Sequence, residues 1–164
     1  MRPPPPPPAL RAVIECARGQ AERTRLDAAG RSVSVRALPE GVRYPFNYGY
    51  VEGTRVDDGE EIDVFVLGPA LPPGSRLRVV VVGALAFADR RGEDPKLLAV
   101  EAVARDGGGP APAAQVVAAA AAVASFLRRY KSAAEARTIG GLIGREEALE
   151  LVARAQRRAA GAGA

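Results

Sequence analysis

The segment Val56–Leu67 reads VDDGEEIDVFVL, an acidic loop that runs into an apolar strand still carrying Asp63. On a strand alternate side chains share a face, so Asp63 points the same way as Phe65 and Leu67, where an unpaired carboxylate is strongly unfavourable. A cation or a metal ion has to offset it. Asp58 and Glu60 flank Gly59 just upstream, close enough for the loop to fold their oxygens toward Asp63, as a hard cation requires. A second acidic loop, Ala88–Lys96 (ADRRGEDPK), also leads into an apolar strand. Converging on one rim, the two junctions would set Asp58, Asp63, Asp89 and Asp94 around several metal ions, with Lys96 supplying positive charge to a bound anion. Glu15, between Ile14 and Cys16, is a third carboxylate embedded in a strand.

Aromatic and basic groups accompany the acids. Tyr44–Tyr50 (YPFNYGY) holds half of the chain's eight aromatic residues, and its phenols can hydrogen-bond carboxylates and phosphate oxygens. Tyr130 and Lys131 close an Ala-rich helix, from whose end they reach a phosphate if that end lies over the rim.

Composition narrows the chemistry further. The chain has no histidine, which excludes Ser–His and Cys–His nucleophiles and imidazole-ligated metals. Cys16 is the only cysteine, so neither an intrachain disulfide nor a thiolate zinc site is available. Carboxylates, Lys, Arg, Tyr and hard oxygen-bound metals remain, magnesium first among them. A net charge of +4 and a pI near 9.7 point to an anionic partner, a phosphate compound or a nucleic acid. No GxxxxGK[ST] or GxGxxG turn is present. The apolar stretches are too short for a membrane span and the MRPPPPPP start is unlike a secretory signal, so the expectation is a soluble, cytoplasmic protein.

The elements that must position these residues are short. Strands are expected near Val13–Cys16, Thr24–Leu26, Ser32–Arg36, Ile62–Leu67, Leu77–Leu85 and Leu97–Val103, separated by Gly- and Pro-bearing turns. Helices are expected over Ala113–Tyr130 and Arg145–Arg158. The class is α+β, mainly β: a small closed OB-like β-barrel of five or more strands with two flanking helices. One domain is expected over residues 11–159, between a disordered polyproline arm at 1–10 and a disordered tail at 160–164.

Taken in order and spacing, YPFNYGYVEGT, DDGEEIDVFVL, GEDPKLLAV and RRYK resemble the soluble, barrel-fold inorganic pyrophosphatases over nearly the whole folded chain. The family's acidic pattern is close to DGDPxD and here reads DGEEID. The resemblance implies magnesium-dependent hydrolysis of pyrophosphate to two phosphates, with several Mg2+ ions, Mn2+ as a substitute, and a homo-oligomer. By matching position it implies Asp58, Asp63, Asp89 and Asp94 as metal ligands, Glu15 on the outer side and Glu60 as the base. It implies phosphate contacts from Arg23, Arg36, Lys96, Tyr130 and Lys131, with Tyr48 ordering the carboxylates. Arg25 and Arg90 stand where the pattern has carboxylates, which implies weaker outer metal binding and a stronger hold on a polyanion. Two other readings compete: a phosphate-binding relative that lacks turnover or has altered specificity, and a nucleic-acid-binding barrel that uses YPFNYGY as a stacking platform. The acidic cluster disfavours the second, because it would repel a phosphate backbone.

Overall fold

Runs of β-branched and small apolar residues alternate with turns through the first two thirds of the chain, and they form strands where that alternation can bury both faces. The computed structural model describes residues 2–3, 8–102, 111–130 and 137–162. Its elements are β1 (Leu10–Cys16), β2 (Glu22–Leu26), β3 (Ser32–Ala37), β4 (Asn47–Val51), β5 (Asp63–Val66), β6 (Arg76–Asp89), β7 (Gly92–Glu93), β8 (Lys96–Glu101), α1 (Ala113–Arg129), β9 (Arg137–Ile143) and α2 (Arg145–Ala162).

The main sheet runs β1-β4-β5-β8-β6-β7, and β6 pairs again with β1, from Leu10↔Val79 to Val13↔Arg76, which closes five strands into the expected barrel. Among the described residues only β5 and β8 pair in parallel; the other pairings are antiparallel. β6 is long enough to serve β1, β8, β7 and β9 because it bends at irregularities between Val81 and Gly83 and between Leu85 and Phe87. β2 and β3 form a separate hairpin.

Period-two alternation divides the core. Ala12, Ile14, Val51, Val64, Val66, Val79, Val81, Leu97 and Ala99 face one cluster, which α2 joins through Ala148, Val152 and Ala155. Cys16, Phe65, Leu67, Leu85, Phe87 and Leu98 face the other, against Val116, Val123, Phe126 and Leu127 of α1. The buried positions of α1 recur at helical spacing, and Arg128 and Arg129 in its last turn complement the helix dipole. Among the described residues no helix is long and apolar enough to cross a membrane.

Three strands differ from the sequence expectation. β4 lies within YPFNYGY, where Gly49 and the polar phenols obscure the alternation although Asn47, Gly49 and Val51 are buried in turn. β9 carries two glycines, and β7 has only two residues. β1 begins at Leu10, within the stretch assigned to the arm, and α2 continues to Ala162, into the segment expected to be a disordered tail. Pro4–Pro7 of the arm, Val103 at the expected end of the last strand, and Gly163 and Ala164 lie outside the described residues.

Gly49 is required by close packing: a Cβ there would overlap the Val13 carbonyl oxygen across the β1–β4 pair. Gly49→Ala is expected to destabilise the protein by about 3 kcal/mol in urea unfolding. A change well under 1 kcal/mol would show that β1 and β4 shift apart freely.

Candidate active site

The same alternation that builds the second core also builds the site. Asp63 precedes Phe65 and Leu67 on one face of β5, Lys96 precedes Leu98 on β8, and Asp89 follows Leu85 and Phe87 on β6, so each strand extends that apolar face with a polar residue. These residues line a single cleft of about 410 Å³. Glu15, Arg23, Arg36, Tyr48, Asp58, Glu60, Asp63, Asp89, Asp94, Lys96 and Tyr130 all line it. Lys131 lies outside the described residues.

Lys96 is the centre of the arrangement. Its ammonium donates to Asp63 Oδ2 and Asp94 Oδ2, each at 2.6 Å, and sits 4.8 Å from the centre of the Phe87 ring. The side chain is only 4% exposed. Burial opposes its charge, but Asp63 and Asp94 more than offset that, and its pKa lies above the ordinary lysine value. Burial pushes the Asp94 carboxyl up to about 6; Lys96 opposes the shift, while the charges of Asp63 and Asp58 add to it.

Around this pair the acidic loop folds on itself. Asp58 Oδ1 accepts the Glu60 N–H at 2.8 Å and Val56 N–H donates to the Glu60 carbonyl at 2.8 Å, so the turn at Gly59 (φ +85°) holds both acids in place. On the opposite wall, Arg23 lies 3.7 Å from Glu15 and over the Tyr48 ring at 5.0 Å. Burial raises the Glu15 carboxyl, Arg23 opposes this and Asp63 reinforces it. Burial, reinforced by the Asp63 charge, raises the Tyr48 phenol well above its ordinary value, so it stays protonated at neutral pH. Arg36 donates to the Tyr130 carbonyl at 2.9 Å and lies over its ring at 5.4 Å, which ties the β2–β3 hairpin to the end of α1.

Two charged lining residues, Glu61 and Arg91, were not singled out from the sequence, whereas Tyr44 and Tyr50 of the aromatic block line the cleft beside Tyr48. Arg25 lines the cleft, whereas Arg90 is exposed and outside its lining; the neighbouring Arg91 lines the cleft and lies 3.8 Å from Asp58. Turn geometry rather than spacing decides which of two adjacent arginines faces the acids. Tyr44, Tyr48, Phe65, Phe126 and Tyr130 stack in a chain of ring contacts between the sheet and α1, packed against one another rather than displayed as an open platform for bases.

The cleft lining holds seven carboxylates and five cationic side chains among the described residues, an acidic cleft in a basic chain. Among the described residues no group of three acids is arranged to hold a metal ion, and the Lys96 ammonium bridges Asp63 and Asp94. The donor set itself is all oxygen, which suits a hard divalent cation.

Lys96→Met leaves two part-buried carboxylates without their partner and is expected to lose about 3 kcal/mol in urea unfolding at neutral pH. The folded chain holds the Asp94 proton more tightly than the unfolded one, so this group favours the folded state at low pH and loses that contribution as pH rises through about 6. The Lys96→Met deficit should therefore shrink at pH 5. An equal deficit at pH 5 and pH 8 would mean that the lysine acts by packing, not by charge.

A family model described as inorganic pyrophosphatase matches residues 12–160. An inorganic pyrophosphatase of Xylella fastidiosa is 47% identical over 77 residues, which cover 46% of this chain and 43% of that protein. One from Sulfolobus acidocaldarius is 44% identical over 66 residues, covering 40% and 38%. The matched segments thus span less than half the length of these curated relatives. Over the whole fold, an inorganic pyrophosphatase structure from Coxiella burnetii superposes with a TM-score of 0.81 at 29% identity, covering 92% of this chain and 94% of that one. The one from Thermus thermophilus gives 0.82 at 28%, covering 96% and 94%.

Proposed function

Since a match over residues 12–160 makes the chain a member of the inorganic pyrophosphatase family, we propose that it hydrolyses inorganic pyrophosphate to two phosphates with the help of magnesium. The observation that carries this reading is the single cleft in which every described residue of the expected site meets. A phosphate-binding relative without turnover would not need so many acids beside its basic groups.

Asp58, Asp63, Asp89 and Asp94, with Glu15 on the outer side, are the residues that would hold several Mg2+ ions, and Mn2+ would substitute through the same oxygen donors. Such ions supply charge neutralisation and an acidified water. The excess of acids over cations in the lining supports the fit, since it leaves negative charge that the basic side chains do not offset.

The remaining chemistry belongs to the chain. Glu60, braced on the Gly59 turn, takes the proton of the attacking water. The water oxygen attacks one phosphorus in line, the bridging P–O bond breaks, and the leaving phosphate keeps the bridging oxygen with its electron pair. Arg23, Arg36, Lys96 and Tyr130 hold the phosphate oxygens, together with Lys131, assigned by its place beside Tyr130 in RRYK. The protonated Tyr48 phenol orders the carboxylates on that wall. The protein works as a homo-oligomer in the cytoplasm, without contacts that use histidine, and with neither membrane nor nucleic acid as a partner.

Phosphate release from pyrophosphate, followed with malachite green, should require magnesium and stop with EDTA or Asp63→Asn. No release in the presence of pyrophosphate binding would leave a non-catalytic binder. The positions of the two arginines make a second test. Arg25→Glu should lower the magnesium concentration for half-maximal activity severalfold, whereas Arg90→Glu should leave it unchanged; a reversed order would contradict the placement of Arg25 in the cleft and Arg90 outside it.

A further inference from the structure

Asp57 belongs to the same acidic loop as Asp58 but lines a different, smaller cavity of about 140 Å³ behind the cleft. Its Oδ1 accepts a hydrogen bond from Arg158 Nη1 at 2.6 Å, 101 residues away on α2. Its Oδ2 accepts the backbone N–H of Glu93 at 3.1 Å. One carboxylate therefore joins three pieces of the structure: the loop of Asp58, the loop of Asp94, and α2. The connections are short, because Asp57 directly precedes Asp58 and Glu93 directly precedes Asp94.

Two further contacts point the same way. Arg55 N–H donates to the Ala155 carbonyl at 3.0 Å, so the acidic loop meets α2 a second time, one turn before Arg158. Gly92 (φ +119°) approaches so closely that a Cβ there would lie 2.9 Å from both Asp57 Cβ and Oδ2. Asp57, Glu93 and Arg158 all line the cavity, so on that side the Asp57–Arg158 pair spans an open space between the acidic loop and α2. The ion pair is 55% and 38% exposed, and a pair so open adds little to global stability. What it does provide is a fixed distance between loops.

We infer that Asp57 and Arg158 are positioning residues: through them α2 sets the separation of Asp58 and Asp94, and so the affinity of the cleft for a divalent cation. This rests on the proposal that Asp58 and Asp94 hold that cation. It assigns α2 a role in the site to which it contributes no lining residue.

The test is Mn2+ binding to the whole protein, read by the electron paramagnetic resonance of the free ion, without reference to turnover. Asp57→Ala should weaken binding about threefold, which is what the free energy of so exposed a pair can transmit to the cleft. Arg158→Ala should weaken it in the same direction and Arg158→Lys should recover part of the loss. The double variant should be no weaker than Asp57→Ala, because both changes remove one connection. Arg31→Ala, which breaks a similarly exposed ion pair with Asp27 in the β2–β3 turn, should leave binding unchanged. Wild-type affinity in Asp57→Ala and Arg158→Ala, or an equal loss in Arg31→Ala, would overturn the inference. If Asp57→Ala does not fold, the two Arg158 variants decide, since that side chain is more than half exposed. Failure of the wild-type protein to bind Mn2+ at all would instead overturn the metal assignment of the cleft, and the inference with it.

Discussion

A lysine ammonium withdrawn almost wholly from water is tolerable only if the surrounding structure supplies opposite charge at hydrogen-bond distance, and here Asp63 and Asp94 do so from two different elements. Asp63 opens β5, and Lys96 opens β8, its parallel neighbour, with Asp94 two residues before it. Breaking the register of that pair by one residue would turn Asp63 or Lys96 to the opposite face, among Val64, Val66, Leu97 and Ala99. The charge triad and the barrel register therefore enforce one another. The Phe87 ring beneath the ammonium extends this to β6, whose backbone also accepts the Asp94 N–H at 2.8 Å.

The balance of charge in the cleft follows from the same arrangement. A basic chain concentrates seven carboxylates along one wall-to-wall opening, so the acids repel one another wherever Lys96, Arg23 and Arg91 do not reach. Burial first, and then the charge of neighbouring acids, raises the carboxyls of Asp94 and Glu15. A divalent cation entering such a cleft would offset that repulsion, which is how the proposed function reconciles the acid cluster with the basic groups beside it.

Much of this was legible because it is written at short range. A carboxylate within DVFV violates strand patterning, and the physical reason for the violation pointed to the site; the convergence of the two acidic loops followed from both preceding apolar strands. The resemblance to barrel-fold pyrophosphatases supplied Arg23, Arg36 and Tyr48, whose side chains carry no local anomaly. What stayed hidden depends on turn geometry or on distance along the chain. β4 was obscured because its buried positions include Asn47 and Gly49 rather than only apolar residues. Arg91 and Arg90 are indistinguishable until the turn at Gly92, with its positive φ, decides which one faces Asp58. Asp57 read as one more acid in an acidic loop, and nothing local marks Arg158 as its partner.

That last pairing shows how a small barrel divides its labour. The strands fix the positions of Asp63, Lys96 and Tyr48 through backbone pairing, which leaves little freedom for adjustment. Asp94 follows β7 and is tied to β6 through its N–H on the Phe87 carbonyl, whereas Asp58 stands on a loop whose outer side is held by side-chain contacts. The helices add contacts that the main sheet does not: the end of α1 receives the β2–β3 hairpin through Arg36 and the Tyr130 carbonyl, and α2 meets the acidic loop through Arg158 and Ala155. Each helix buries an apolar face against one core and makes a polar contact to a segment outside the barrel strands. The barrel core and the segments around the cleft therefore rest on different residues: the core on the apolar faces of α1 and α2, the segments on polar contacts such as Arg36 with the Tyr130 carbonyl and Arg158 with Asp57.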